Sequence, residues 1–253
     1  MNKVIVVGGG AAGMMAAISA ADSGAEVILI EKNEKLGKKV YITGKGRCNI
    51  TNESDVENLL KNVRSNPKFL YSAFYTFDSY RMMEFLEGEG LKLKTERGNR
   101  VFPESDKSSD VIKTLKKALE KRKVKIILNT KVLNIDIKDG ICHGVIVQSG
   151  DKSGSYTADK VIVATGGCSY QSTGSTCDGY RFAKDADIKV TKCYPSLVPF
   201  NIGSDIPKRL QGLSLRNVKV TLSDKGKVLY EELGEMLFTH FGVSGPLVLS
   251  AST

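Results

Sequence analysis

The sequence predicts an α/β fold built on a parallel sheet, and three observations predict it. The run VIVV at 4–7 is apolar, bounded by glycine, and short enough to be a buried parallel strand. Gly8, Gly10 and Gly13 follow in G-x-G-x-x-G spacing and lead into a helical pattern. A second apolar run, EVILI at 26–30, then closes on an acid, Glu31. Strand, glycine turn, helix, strand and acid in this order make a Rossmann-like dinucleotide-binding unit.

Each part of that unit has a physical task. Gly8 permits the tight turn, Gly10 lets the backbone approach a pyrophosphate, and Gly13 lets helix and strand pack closely. Unpaired N–H groups at the helix start attract phosphate. Met14, Ala17, Ile18 and Ala21 give the helix one apolar face, and Gly24 ends it. Glu31 can accept hydrogen bonds from ribose hydroxyls and would repel a 2′-phosphate. FAD or NAD therefore fits better than NADP.

The stretch from Lys32 to Asn52 reads as a loop leaving the carboxyl end of a strand. Lys32, Lys35, Lys38, Lys39, Lys45 and Arg47 are mixed there with Gly37, Gly44 and Gly46 and with small polar residues. A flexible, basic loop in this place can fold over a phosphate-bearing cofactor. Residues 55–87 read as helices, with Asp78 or Ser79 as a cap and Gly88 as a stop. KLKTERGNRVFP reads as strand, turn, strand. SSDVIKTLKKALEKRK reads as an amphipathic helix burying Val111, Ile112, Leu115 and Leu119.

KIILNT at 125–130 is a third buried strand. Residues 131–160 alternate as an antiparallel meander turning at Asp139–Gly140, and VIVATGG at 161–167 returns to a buried strand ending in glycines. A short helix, YRFAKDA, follows GSTCDG. Beyond Ile188 the texture changes, and KVTKCYPSLVPFNI and LRNVKVTLSDKGKVLYEE read as β hairpins of a second domain.

Composition narrows the setting. The 253 residues are 41% hydrophobic, enough for one large core or two smaller ones. With 37 Lys and Arg against 28 Asp and Glu, the net charge of +9 suits an anionic partner such as a dinucleotide, a nucleic acid or an acidic substrate. The 5 cysteines form no C-x-x-C, and with 2 histidines they point to no metal site and to a reduced, cytoplasmic protein. No run is long and apolar enough to predict a membrane span.

GKGRCNITN (44–52), ERGNRVFP (96–103), ATGG (164–167), GSTCDGY (174–180), PSLVPF (195–200) and GEMLFTHFGVSGP (234–246) occur in order along nearly the whole chain. Together with the glycine turn they resemble the NAD(P)/FAD-dependent oxidoreductases of the BaiN/YhiN-like flavoprotein family. The resemblance implies a two-dinucleotide-fold flavoprotein with an antiparallel β meander and a mostly β insert domain. Residues 1–188 would be the FAD-binding domain, including a helical segment 55–122 and the meander 131–160. Residues 189–253 would begin the β-rich insert or substrate domain. It also implies a chain that continues further, so that this sequence is an N-terminal fragment with apolar surface uncovered around LVLSAS.

Carried over by position, Gly8, Gly10, Ala11, Ala12 and Gly13 would cradle the FAD pyrophosphate, and Glu31 and Lys32 would hold the adenosine ribose. Lys39, Gly46, Arg47, Cys48 and Asn49 would line the flavin side. Val132 would meet adenine through its backbone, and Thr165 and Gly166 would close over the cofactor. Arg47, Cys48, Tyr170 and His240 are candidates for the proton donor, and none of them is singled out. The family usually has glycine where this chain has Cys177, so the turn is altered or the thiol sits near the cofactor. The implied activity is NAD(P)H-driven hydride transfer through flavin to an activated C=C bond of a small molecule. The alternatives are a flavoenzyme that modifies ribosomal RNA, in the manner of a dihydrouridine synthase, and a truncated, non-catalytic remnant. Oligomeric state is left open.

Overall fold

The computed structural model describes residues 2–253. The chain divides into two units, the first ending at Val190 and the second spanning Thr191–Thr253.

The first unit opens with β1 (Lys3–Val7), α1 (Ala11–Asp22) and β2 (Glu26–Ile30), followed by the short α2 (Lys38–Ile42). A small antiparallel sheet and its helices come next: β3 (Thr51–Asn52), α3 (Val56–Lys61), α4 (Tyr71–Thr76), α5 (Ser79–Gly88), β4 (Leu93–Glu96) and β5 (Arg100–Pro103). Asp78 caps α5 by accepting from the Arg81 N–H, as its side chain is suited to do. Then follow α6 (Ser108–Lys121), β6 (Lys125–Ile127), the meander β7 (Lys131–Lys138), β8 (Ile141–Ser149) and β9 (Lys152–Thr157), and finally β10 (Lys160–Val163) and α7 (Asp178–Asp185).

The four-stranded parallel sheet runs β10-β1-β2-β6. Its strands are continuously apolar because both faces are covered. Val4, Val6, Val27 and Leu29 face a cluster with Met14 and Ile18 of α1 and Val111, Leu115 and Leu119 of α6. Ile5, Val7, Ile28 and Ile30 face the other way, against Val132, Val145 and Val147 of the meander and Phe182 of α7. Each such fully buried side chain contributes about 1.5–3 kcal/mol. Asp139 and Gly140 turn the first hairpin of the meander with φ of 50° and 74°, the left-handed pair that a two-residue hairpin needs.

The second unit holds β11 (Phe200–Asn201), α8 (Ile206–Arg209), β12 (Ser214–Asp224), β13 (Lys227–Phe238), β14 (Gly242–Ser244) and α9 (Pro246–Ala251). Its sheet runs β11-β14-β13-β12. Two sequence expectations fail here. The stretch 189–202 does not form a hairpin: it is irregular up to β11, because Pro195 and Pro199 lack N–H donors and Leu197 sits at φ 55°. The LVLSAS stretch does not leave its apolar surface uncovered. It is α9, whose Leu247 and Val248 are 4% and 2% exposed. Gly234 of β13 makes room for Leu247, since a Cβ there would lie 3.0 Å from its Cδ2.

A third expectation, a plain loop over 32–52, gives way to α2 and a tight turn through Thr43–Gly46. Among the described residues no helix is long and apolar enough to cross a membrane.

Candidate functional site

At the carboxyl end of the parallel sheet, the β1–α1 turn, the end of β2 and the segment after β10 surround a cavity of about 660 Å³. The three motif glycines have separable tasks. Gly8 lies at φ 107°, and a Cβ on it would come 2.5 Å from the Ala164 carbonyl oxygen. A Cβ on Gly13 would come 1.7 Å from the Gly8 carbonyl oxygen. Gly8 and Gly13 are therefore required by the protein's own packing. Gly10 differs: a Cβ there would meet no protein atom within 4 Å, and its residue lines the cavity. Beside it, Ala11 and Ala12 start α1 and also line the cavity, and helix geometry leaves their N–H groups without intrahelical acceptors.

Glu31 lines the cavity and is 7% exposed. Its Oε2 accepts from the Gly9 N–H at 2.6 Å, and its Oε1 accepts from the Asn33 N–H at 2.8 Å and from Asn33 Nδ2 at 2.6 Å. Two of the basic residues after Glu31 are tied to the segment that follows β10. Lys32 Nζ donates to Thr176 Oγ1 at 2.6 Å and pairs with Asp178 at 2.7 Å. Lys39 Nζ donates to the Ser169 carbonyl at 2.8 Å. Burial alone would raise the Asp178 carboxyl, but hydrogen bonds from Lys32 and Thr176 outweigh it and hold the group below its ordinary value.

The residues expected at the site do not all arrive there. Gly8, Gly10, Ala11, Ala12, Glu31, Lys32, Lys39, Val132, Thr165 and Gly166 line the cavity, and Gly13 packs directly behind it. Gly46, Arg47, Cys48 and Asn49 are not among the lining residues. Arg47 instead lies 4.2 Å from the Phe102 ring and is engaged by Glu96 and by Asp106, the latter at 2.7 Å. The hydrogen bonds it donates to those two carboxylates raise its affinity for the proton. Burial pushes the Cys48 thiol up, against a hydrogen bond with Thr43. Tyr170 is 68% exposed and outside the lining, and His240, in the second unit, lies edge-on to Phe241.

Asn33, Thr130, Ser175 and Asp178 line the cavity without having been expected. The GSTCDGY motif held the signal for two of them. Cys168 and Cys177 depart from the expectation of reduced thiols, being joined in a disulfide with Cα atoms 4.7 Å apart. Cys177 sits at φ 63°, the left-handed conformation that glycine adopts readily. The disulfide crosses the loop between β10 and α7.

A family model described as "HI0933-like protein Rossmann domain" matches residues 2–247. The chain is 32% identical over 254 residues to the 3-dehydro-bile acid delta(4,6)-reductase of Clostridium scindens, covering 100% of this chain and 60% of that protein. It is 31% identical to the ribosomal RNA dihydrouridine synthase of Escherichia coli, covering 98% of this chain and 60% of the relative. The chain thus spans about 60% of the length of the curated relatives it matches. Among solved structures, the 3-ketosteroid delta1-dehydrogenase of Sterolibacterium denitrificans superposes with a TM-score of 0.60 at 16% identity, over 86% of this chain and 62% of the other. That likeness concerns the fold.

Proposed function

Because the chain belongs to the family of the HI0933-like protein Rossmann domain, we propose that it binds FAD and serves a flavin-dependent oxidoreductase that reduces an activated C=C bond with NAD(P)H. The observation that carries the proposal is the contrast among the glycines. Gly8 and Gly13 answer to protein atoms, whereas Gly10 faces only the cavity beside the start of α1. A Cβ at Gly10 would take space that the protein itself does not need, which fits close backbone approach by a pyrophosphate.

Ala11 and Ala12 would hold the pyrophosphate through their N–H groups, and Glu31 would receive ribose hydroxyls. Val132 would offer its backbone to adenine, and Thr165 and Gly166 would close one side. Bound FAD would supply hydride transfer. Lys39 would stand on the flavin side, and the carboxylate-bound Arg47 is better suited to fastening the small sheet than to giving up a proton. Residues 1–188 are read as the FAD-binding part and 189–253 as the beginning of a substrate domain.

The C=C specificity draws on the reductase among the relatives. A second reading, an RNA substrate, draws on the net charge of +9 and on the dihydrouridine synthase relative. The experiment is reconstitution with FAD, followed by NADPH oxidation with a 4-en-3-one steroid or with a ribosomal RNA fragment as acceptor. Failure to take up FAD sinks the proposal, and turnover with RNA alone selects the second reading.

A further inference from the structure

We propose that Cys168 and Cys177 form a reversible thiol–disulfide exchange site that fastens one wall of the cavity and loosens it on reduction. Its bearing on nucleotide retention rests on the FAD reading above. The two cysteines are nine positions apart and bonded, while Cys48, Cys142 and Cys193 are free. The segment they enclose supplies Thr173, Gly174 and Ser175 to the cavity.

Apart from the disulfide, this segment is held by small contacts. The Ser169 carbonyl accepts from Lys39, the Thr173 carbonyl from Asn33 Nδ2 at 3.3 Å, and Thr176 Oγ1 from Lys32. Two of these hydrogen bonds are exposed and the third is part-buried, and each stabilises only weakly. Tyr170, Gln171 and Ser172 are exposed. The packing nonetheless needs the closed arrangement. Ser175 is buried against Gly166, where a Cβ would lie 2.7 Å from Ser175 Oγ. Gly174 fits against Asn33 with similar closeness, its Cβ position 2.7 Å from Nδ2. A covalent tie across a short loop removes open conformations that these contacts alone would not exclude.

The pair also suits exchange chemically. Cys168 is exposed, so its sulfur can be reached by a thiolate in solution. Attack there forms a mixed disulfide and expels Cys177 as the leaving thiolate. Cys177 is the N-cap residue of α7, where the helix start favours negative charge, and the adjacent Asp178 is already paired with Lys32. A second thiol then attacks the mixed disulfide. The balance is one protein disulfide and two small thiols giving two protein thiols and one small disulfide. The co-reactant is a monothiol of the glutathione class.

The test equilibrates the protein with mixtures of reduced and oxidised glutathione, traps thiols by alkylation, and counts them by mass. Hydrogen exchange of residues 168–180 is measured at both extremes, and FAD affinity by flavin fluorescence. We expect Cys168 and Cys177 to titrate together, faster exchange in the segment after reduction, and FAD affinity about tenfold weaker, equivalent to about 1.4 kcal/mol. Cys177→Gly, which suits the left-handed backbone, should fold, show the fast exchange at once, and respond to no thiol. Unchanged exchange on reduction, or two thiols free even in oxidised glutathione, overturns the site. A segment that loosens while FAD binds equally in both states overturns the link to the nucleotide. If the segment loosens but neither state binds FAD, the exchange site stands and the FAD reading falls.

Discussion

The Gly9 N–H donates to Glu31 Oε2 at 2.6 Å, so the acid that ends β2 also ties down the turn that begins α1. Glu31 thus has a structural duty besides any toward a ribose. Both carboxylate oxygens accept, one from Gly9 and the other from Asn33. An amide has one acceptor oxygen, so Glu31→Gln leaves one set of donors unanswered, and Glu31→Ala leaves both. We expect both variants to lose stability, by about 1–3 kcal/mol, with Ala the more damaged. Denaturant melts check this, and an Ala variant as stable as the parent would remove the structural duty. FAD affinities are then compared only under conditions where each variant is folded.

Gly10 and Gly13 should respond in opposite ways. Gly10→Val places its Cβ where no protein atom lies within 4 Å. It should melt with the parent and fail to bind FAD. Gly13→Ala drives a Cβ to within 1.7 Å of the Gly8 carbonyl oxygen and should unfold the unit or cost several kcal/mol, in the range of about 1–3 for overpacking and beyond. Circular dichroism melts with FAD titration read both effects. A stable Gly10→Val protein that bound FAD normally would contradict the assignment of the turn.

The Lys32–Asp178 pair predicts an acid limit. The Asp178 carboxyl is held below its ordinary value of 3.8. Its contribution is therefore fully present above that value and is lost as pH falls through the lower, folded value. The pair is part-buried, its side chains 25% and 14% exposed, and the desolvation of both groups offsets much of their attraction, leaving a contribution of about 1 kcal/mol. Asp178→Asn should narrow the stability gap to the parent as pH drops from 6 toward 3. Melting curves across that range check it, and a gap independent of pH would assign the effect of Asn to packing instead.

Arg47→Ala should lower the melting temperature and leave FAD affinity near that of the parent. Arg47 joins the chain after α2 to the β4–β5 hairpin through Glu96 and to Asp106 beyond it. Lys94 Nζ, 2.5 Å from Asp106 Oδ2, completes the cluster. A variant with normal melting and lost FAD binding would return Arg47 to the cofactor.

What the sequence made legible was set by short-range constraints. The β1–α1–β2 unit, α6 and the Asp139–Gly140 hairpin follow from periodicity and turn chemistry that each segment carries by itself. The roles of Gly8 and Gly13 follow from a spacing. The course of 189–202 was hidden because its apolar residues suggested strands, while Pro195 and Pro199 removed the donors a strand needs. The helix α9 was hidden because LVLSA is too short and apolar to tell strand from helix, and its packing on β13 decides the matter. The cavity's Asn33 and Asp178 come together from distant positions through Lys32 and Thr173, which no local pattern records. The disulfide likewise depends on a left-handed turn at Cys177 that brings two separated residues face to face.

The order β10-β1-β2-β6 also bears on how the molecule is made. Val7 pairs with Ile30 on one side and with Val163 on the other. The first partner is synthesised soon after it, and the second only much later. While the chain grows, β1 and β2 can zip together early, but one edge of β1 stays open until β10 arrives. Closing such distant contacts is slow because a long loop must be gathered first. The cavity, which needs both sides, is completed late, and during that interval an exposed apolar strand edge is the nascent chain's point of greatest exposure to misassociation.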